Sequence, residues 1–216
     1  MLAQLSGLYA VTPDEDDIGT LARKVRQALA GGARAVQYRN KSAQAALRRE
    51  QGAALLAVCR RAKVPLLVND DLDLAENLDA DGLHVGRGDV SVAAARARLG
   101  KNKLLGASCY DRLALALAAR DAGADYVAFG SAFASPTKPG ATQAPLSLYR
   151  EAKASLDVPI VAIGGITSGN ARAVIEAGAD AVAVISALFD APDVERRARE
   201  FARIFSDYEV EKRNPV

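Results

Sequence analysis

The sequence predicts an α/β fold, a single-domain (β/α)8 barrel, from three observations. Short, almost continuous apolar runs recur along the chain, which is typical of parallel strands covered on both faces. Segments rich in alanine, leucine and arginine, with helical spacing, lie between these runs. A length of 216 residues suits one domain of this kind. Regular alternation of strand and helix therefore favours a parallel sheet that closes on itself.

Eight runs are predicted as strands. Each has three to five residues and consists mainly of valine, leucine, isoleucine and alanine. By residue number they are 8–11, 35–38, 66–68, 83–85, 104–107, 126–129, 160–163 and 181–185. We expect the barrel domain to span residues 1–208 and the charged segment 209–216 to be a frayed tail.

A weak internal repeat supports the eightfold reading. Gly32-Ala33, Gly123-Ala124 and Gly178-Ala179 each stand two or three residues before a predicted strand. A glycine there can take the left-handed conformation that ends a helix. An open doubly wound sheet is the alternative, but it would normally have a glycine-rich turn after the first strand, where this chain has Thr12-Pro13-Asp14.

The composition limits the function classes. Lys and Arg number 28 against 26 Asp and Glu, a net charge of +2, so we expect no nucleic-acid partner and no membrane surface as partner. Cys59 and Cys109 are predicted to be free buried thiols rather than a disulfide. No signal peptide or membrane span is apparent, so a cytoplasmic location is the default expectation.

Polar and charged residues follow the strands, and in a barrel of this type the carboxyl ends of the strands carry the chemistry. After the second strand, Gln37, Arg39 and Lys41 alternate onto one face while Tyr38 lies on the other. Two cations and an amide in the barrel mouth would suit an oligophosphate. The alternative is that Lys41 is solvated and Gln37 only fills the interior.

Acidic residues follow the third and fourth strands. Asp70 and Asp89 could hold Mg²⁺ together with substrate phosphate and water, or could cap the next helices, and the sequence leaves both possibilities open. Asp71 is predicted to be a helix cap. The single histidine, His84, is read as a hydrogen-bonded structural residue rather than a base, and Ser108 could bind a ligand or satisfy local backbone.

The last three strands end in features that favour phosphate. The sixth is followed by a long loop that carries two hydroxyls, a lysine and two prolines, which suggests a binding flap. The seventh ends in Gly164-Gly165 and the eighth in Ile185-Ser186, the usual place for a monophosphate in a barrel. The loop reads Ser135-Pro136-Thr137-Lys138-Pro139.

Together these strand ends resemble the thiamine-phosphate synthase family. The resemblance covers nearly the whole chain, from Gly7 to about Leu188. It is carried by five segments, which are Gln37-Tyr38-Arg39-Asn40-Lys41, Asn69-Asp70, Gly82-Leu83-His84-Val85-Gly86 with Asp89, Ser135-Pro136-Thr137-Lys138-Pro139, and Ala162-Ile163-Gly164-Gly165-Ile166.

The resemblance implies a TIM-barrel transferase of thiamine biosynthesis. Its partners would be small phosphorylated substrates: it would join 4-amino-2-methyl-5-hydroxymethylpyrimidine pyrophosphate to thiazole phosphate and release pyrophosphate, with Mg²⁺ as cofactor. Residues matching the pyrimidine-pyrophosphate site are Gln37, Tyr38, Arg39, Asn40, Lys41, Asn69, Ser108 and Lys138, of which Arg39, Lys41 and Lys138 would be catalytic. Asp70 and Asp89 match the metal ligands, and Ser135, Pro136, Thr137, Gly164, Gly165, Ile185 and Ser186 match the thiazole-phosphate site.

Two departures and two alternatives accompany this resemblance. The family often has glutamate at the position of Asn40 and threonine at that of Ser135, so we give Asn40 no catalytic role. A thiazole tautomerase-like isomerase on the same barrel would be expected to carry a histidine in the loop that holds Pro136 to Lys138, where this chain has none. A non-catalytic phosphate-ligand-binding protein is the other alternative. The sequence makes no prediction of oligomeric state.

Overall fold

Eight parallel strands pair in chain order in the computed structural model, which describes residues 5–134 and 142–214, and β8 pairs with β1 to close the barrel. The predicted (β/α)8 barrel is therefore confirmed. The strands are β1 (Gly7–Val11), β2 (Ala35–Tyr38), β3 (Leu66–Asn69), β4 (Gly82–Val85), β5 (Leu104–Tyr110), β6 (Tyr126–Phe129), β7 (Ile160–Ile163) and β8 (Ala181–Val184).

A helix follows each strand, and the chain then ends in a longer one. The helices are α1 (Ile18–Ala30), α2 (Ala45–Ala62), α3 (Leu72–Asn77), α4 (Val92–Leu99), α5 (Leu113–Asp121), α6 (Leu146–Ser155), α7 (Ala171–Glu176), α8 (Ser186–Phe189) and α9 (Val194–Arg213). None of the helices in the described ranges has the length and apolar character that a membrane crossing requires.

The core has two layers because side chains alternate along each strand. In β1, Leu8 and Ala10 point outward and pack between the strands and the helices. Tyr9 and Val11 point inward and belong to a smaller cluster inside the barrel. Both cysteines are free and buried, as predicted. Burial raises the pKa of each thiol, so neither is a ready nucleophile.

The internal repeat acts at the amino-terminal rim, opposite the mouth. Gly32, Gly123 and Gly178 have φ of +104°, +101° and +114°, which confirms the predicted left-handed helix ends. Two residues further on, Asp125 accepts a hydrogen bond from the Leu105 amide of β5 at 2.8 Å, and Asp180 accepts one from the Ile160 amide of β7 at 2.9 Å. The repeat therefore links neighbouring strands at the rim that serves stability.

Two boundaries differ by more than one residue from the sequence-based expectation. β5 continues through Ser108 to Tyr110, and its pairing with β6 has a bulge between these two residues. The extension was not predicted because its residues are partly polar. α9 continues to Arg213, where we expected a frayed tail from residue 209. Glu211 forms an ion pair with Arg172 on α7, which holds this last part of the helix against the barrel.

Candidate active site

The loop after β1 holds the cationic end of β2. The hydroxyl of Thr12 accepts from the Arg39 amide and donates to the Arg39 carbonyl, both at 2.8 Å. One carboxylate oxygen of Asp14 accepts from Arg39 Nη1 and from the Lys41 amide, both at 2.9 Å. Arg39 is thus fixed by backbone and side-chain contacts at the mouth of the barrel.

Lys41 and two aspartates lie close together beside Arg39. Lys41 Nζ lies 3.3 Å from Asp70 Oδ2, and the Asp70 carboxyl in turn lies within hydrogen-bonding reach of Asp89. Asp70 has φ of +64°, a left-handed conformation that is unusual outside glycine and recurs at functional sites. Its amide donates to the His84 carbonyl of β4 at 2.8 Å, which fixes Asp70 between the two strands.

The pKa of Asp89 is raised by burial and further raised by the adjacent carboxyl of Asp70. Its Oδ2 also accepts from the Gly86 amide at 2.7 Å, which acts in the opposite direction. A carboxyl pair of this kind is more easily ionised when a cation lies between its members.

Neither member of the pair caps the following helix, which answers one question that the sequence left open. Asp71 caps α3, accepting from the Leu74 amide at 2.9 Å, as predicted. Ser91 caps α4 through the Ala94 amide. Asp70 and Asp89 are therefore available to the mouth.

Inside the barrel, a chain of hydrogen bonds joins β2 to β5. Gln37 Nε2 donates to Tyr9 Oη at 3.0 Å, and Tyr9 Oη lies 2.9 Å from Tyr126 Oη. Tyr126 Oη lies 2.9 Å from His84 Nδ1, and His84 Nε2 lies 2.9 Å from Ser108 Oγ. Both nitrogens of His84 are thus engaged, in agreement with its predicted structural role.

His84 is a neutral imidazole at physiological pH. Burial lowers the pKa of His84 to about 4, and the nearby Asp89 charge only partly opposes this. The adjacent Gly106 makes the arrangement possible, since a Cβ there would overlap the Tyr126 ring. The buried phenols of Tyr9 and Tyr126 also have raised pKa values, because burial disfavours the phenolate.

Two residues of the predicted pyrimidine site have their polar atoms engaged by the protein itself. Tyr38 faces α2, where its hydroxyl donates to Gln51 Oε1 at 2.9 Å. Asn40 is buried, and its amide nitrogen donates to the Glu15 carbonyl and to Gln51 Oε1, at 2.8 and 3.0 Å. These contacts give Tyr38 and Asn40 a structural role beside the mouth.

A small cleft of about 50 Å³ opens between the ends of β2 and β3 and the starts of α2 and α3. Asn69, at the end of β3, lies in it next to Asp70. The cleft is lined by Tyr38, Asn40, Lys41, Arg48, Val68, Asn69, Asp70, Asp71 and Leu74.

The glycine pair after β7 receives the loop that leaves β6. Gly164 and Gly165 have φ of +98° and +64°. The Phe133 amide donates to the Gly164 carbonyl at 3.0 Å, and a Cβ on Gly165 would be 2.5 Å from the Ala134 carbonyl oxygen. Glycine is therefore required here for close approach of the β6 loop, whatever ligand the loop binds.

Two further predicted residues, Ile185 and Ser186, follow β8. Ile185 directly precedes the short helix α8, and Ser186 is its first residue. The stem of the β6 loop is closed where the Ser131 amide donates to the Thr142 carbonyl at 3.1 Å. The predicted contacts of Ser135, Pro136, Thr137 and Lys138 lie outside the described residues.

Sequence reasoning missed four residues that shape the mouth. Thr12 and Asp14 were read only as the lack of a glycine-rich turn, although they orient the end of β2. Tyr9 and Tyr126 were read as strand apolar residues, although their hydroxyls complete the interior chain. A tyrosine in an otherwise aliphatic strand is a weak signal for a buried polar network.

Among the described residues, no group of three or more His, Cys, Asp or Glu side chains is arranged to hold a metal. The donor set at the mouth is the pair Asp70 and Asp89. Two carboxylates fit an ion such as Mg²⁺, which usually takes one or two protein ligands and completes its shell with substrate phosphate and water.

A closed barrel with charged side chains gathered at the carboxyl ends of its strands has the architecture of the (β/α)8-barrel enzymes. A family model described as thiamine monophosphate synthase matches residues 8–188. The chain belongs to this family, which confirms the resemblance seen in the sequence.

Individual relatives agree with the family match. The chain is 54% identical over 205 residues to a thiamine-phosphate synthase of Methylobacillus flagellatus, covering 95% of this chain and 98% of that protein. It is 55% identical over 200 residues to one of Thiobacillus denitrificans, covering 93% and 95%. A solved structure, thiamine phosphate pyrophosphorylase from Pyrococcus furiosus, superposes with a TM-score of 0.82 at 36% identity and covers 93% of this chain and 96% of its own.

Proposed function

We propose that this chain joins 4-amino-2-methyl-5-hydroxymethylpyrimidine pyrophosphate to thiazole phosphate, giving thiamine phosphate and pyrophosphate. The thiazole nitrogen forms a bond to the pyrimidine methylene carbon. The bond from that carbon to the pyrophosphate oxygen breaks, and its electron pair leaves with pyrophosphate. The observation that carries this assignment is the meeting of Lys41, Asp70 and Asp89 at one rim of a barrel that belongs to this family.

The pyrophosphate end of the pyrimidine substrate binds beside Arg39 and Lys41. Support comes from the Asp14 and Thr12 contacts that hold Arg39 at the mouth and from the 3.3 Å ion pair between Lys41 and Asp70. Cations fixed before the reaction stabilise charge that develops on a leaving group without reorganisation. Gln37, Asn69 and Ser108 bind the remainder of this substrate, and Lys138 adds a further cation from the β6 loop.

Asp70 and Asp89 would hold Mg²⁺. Bound there, the ion would supply further neutralisation of the pyrophosphate charge. The raised pKa of Asp89 supports this role, because burial and the adjacent Asp70 carboxyl disfavour its charged form and a bound metal ion would favour it.

Thiazole phosphate binds at the opposite side of the mouth. Gly164, Gly165, Ile185 and Ser186 bind its phosphate together with the hydroxyls of the β6 loop. Support comes from the position of these residues after β7 and β8, where barrels commonly bind a monophosphate. The loop residues concerned are Ser135, Pro136 and Thr137.

The reaction needs no general base at the bond-forming step, because the attacking ring nitrogen carries no proton. An electron-rich aminopyrimidine can stabilise positive charge at its methylene, so a dissociative path suits this site. The neutral His84, with both nitrogens engaged, is consistent with a site that promotes departure rather than proton abstraction. Holding the two substrates in line supplies much of the remaining acceleration.

The direct test is a turnover assay with both substrates, following thiamine phosphate and pyrophosphate. We expect the two products in equal amounts, dependent on Mg²⁺ and abolished by a chelator. A parallel incubation with thiazole phosphate tautomer alone, without pyrimidine or metal, tests for an isomerase. Isomerisation without condensation, or tight binding of both substrates without turnover, would contradict the assignment.

A further inference from the structure

The hydrogen-bond chain inside the barrel has a direction. Tyr9 Oη accepts from Gln37 Nε2, and its own buried proton has one other hydrogen-bond partner among the described residues, Tyr126 Oη, 2.9 Å away. Tyr126 in turn uses its proton toward His84 Nδ1, which must then be the unprotonated nitrogen. His84 therefore carries its proton on Nε2 and donates to Ser108 Oγ.

We infer that Tyr9, Tyr126 and His84 are positioning residues that hold the Ser108 hydroxyl as a donor to the pyrophosphate-bearing substrate. Because Ser108 Oγ accepts from His84, its own proton is left to point into the mouth. This inference rests on the proposed function for the nature of the ligand, but the direction of the chain stands on the contacts alone.

The surroundings of Ser108 favour this direction over the reverse. Ser108 and Asp89 flank the same glycine, since a Cβ built on Gly86 would lie 3.8 Å from Ser108 Cβ and 3.4 Å from Asp89 Oδ2. In the reverse direction Ser108 would donate to His84 and turn only lone pairs toward Asp89 and an anionic substrate. Lone pairs facing negative charge are repelled, whereas a donor is attracted.

The hydrogen-bond chain is shielded from water, which would otherwise compete for its donors and acceptors. Its inner members, Tyr9 and Tyr126, are at most 1% exposed, and His84 is 7% exposed. Gly106 leaves the space that the Tyr126 ring occupies. With little water to exchange partners, each proton is confined to the next acceptor, so the amide orientation of Gln37 fixes the tautomer of His84 across the width of the barrel.

The tautomer can be read directly, because His84 is the only histidine in the chain. Ring ¹⁵N-labelled histidine and a long-range ¹H–¹⁵N correlation spectrum at neutral pH should give a single imidazole, protonated at Nε2 and bare at Nδ1. Protonation at Nδ1, or at both nitrogens, would overturn the inference. This measurement uses the wild-type protein and needs no substrate.

The role of the chain in binding is tested with Tyr126→Phe. We expect kcat/KM for the pyrimidine pyrophosphate to fall about tenfold, with the KM for thiazole phosphate unchanged. Added to Ser108→Ala, the change should cause no further loss, because Tyr126 acts through Ser108. Tyr149→Phe is the matched control, since it removes another buried hydroxyl, which donates to the Phe129 carbonyl outside the barrel interior at 3.0 Å.

The outcomes separate this inference from the proposed function. An active synthase with the Nδ1-protonated tautomer, or with independent losses from Tyr126→Phe and Ser108→Ala, would refute the positioning role and leave the reaction intact. A protein with the expected tautomer that turns over neither substrate would refute the reaction and leave the direction of the chain intact.

Discussion

Asp70 is the residue on which the mouth depends most closely. It adopts a left-handed conformation, contacts Lys41 and Asp89, and is tied to β4 through its amide. Asparagine tolerates this conformation better than alanine does, because its short polar side chain can form local hydrogen bonds. Replacement by asparagine therefore removes the charge with little added backbone strain.

We predict that Asp70→Asn lowers kcat by about 100-fold while the thermal midpoint changes little. The matched control is Asp79→Asn, because Asp79 is another left-handed aspartate, with φ of +51°, but precedes β4 at the opposite rim. Steady-state kinetics and thermal unfolding of the two variants provide the measurement. Equal, small effects of both substitutions on kcat would contradict a role for the Asp70 charge.

Packing inside the barrel can be tested at a single residue, Gly106. A Cβ there would overlap the Tyr126 ring, so we predict that Gly106→Ala lowers the free energy of unfolding by about 1–3 kcal/mol or more. Urea denaturation measures this, with Gly19→Ala in the first turn of α1 as control, where the added Cβ meets only Asp17 Oδ1 at 3.6 Å. An unchanged midpoint for Gly106→Ala would show that the ring can move aside.

Residue types at strand ends were predictable, and their partners were not. The sequence indicated Arg39, Lys41, Asp70 and Asp89 because they follow predicted strands, and the carboxyl ends of the strands carry the chemistry in a barrel of this type. It could not decide between capping and the mouth for the aspartates, since both use the same side chain at the same place along the chain. The structure separates the two possibilities, because Asp71 and Ser91 cap the helices and leave Asp70 and Asp89 to each other.

At the scale of elements, the loop after β1 positions the end of β2. Asp14 accepts from Arg39 and from the Lys41 amide, while Thr12 brackets the Arg39 backbone. The ion pair is partly exposed, with 23% of the Arg39 side chain and 42% of that of Asp14 accessible, so its effect on stability is small. The ion pair instead fixes the positions of Arg39 and Lys41.

We predict that Asp14→Ala raises the KM for the pyrimidine pyrophosphate about five- to tenfold, with a smaller change in thermal stability. Asp16→Ala, an exposed aspartate two residues further along the same loop, is the control and should behave like wild type. A KM that is unchanged in Asp14→Ala would show that Arg39 and Lys41 find their positions without this loop.

Elements were predictable where apolar runs were unbroken and less so elsewhere. The predicted limits of β2, β6 and β7 match the structure, because each apolar run is bounded by charged residues, glycine or proline. β5 was predicted too short, since Ser108 and Tyr110 interrupt the apolar pattern. The extension depends on pairing with β6, which is a tertiary contact that local sequence does not specify.

At the scale of the whole molecule, the proposed metal site would set function against stability at the carboxyl pair. The pKa of Asp89 is raised in the folded protein, so the metal-free fold binds this proton more tightly than the unfolded chain does. The corresponding contribution to stability is complete below the unfolded pKa of about 4 and is lost as pH rises through the folded-state pKa. Burial and the Asp70 carboxyl therefore oppose ionisation of Asp89, and a bound metal cation would favour it.

We predict that Asp89→Asn is at least as stable as wild type at pH 7 without metal, because asparagine has no charge and can still accept from the Gly86 amide. Mg²⁺ should raise the unfolding midpoint of wild type and leave that of Asp89→Asn unchanged, while the variant loses turnover. Thermal unfolding in chelator and in Mg²⁺ checks both parts. A metal-free variant clearly less stable than wild type would contradict this account.

The global fold was the most predictable level, because eight repeats of the same local pattern admit few topologies. The convergence of the mouth followed from that fold, since the carboxyl ends of all parallel strands share one rim. The interior chain from Gln37 to Ser108 did not follow. It joins residues from five strands, and its members are separated by up to 117 positions in the sequence.

The central claim, a Mg²⁺-assisted pyrophosphate site at this rim, is tested most directly by calorimetric titration of the free enzyme with pyrophosphate. We predict binding at least tenfold tighter with Mg²⁺ than with chelator, and loss of that difference in Asp70→Asn. Equal pyrophosphate affinity with and without Mg²⁺ in the wild-type protein would contradict it.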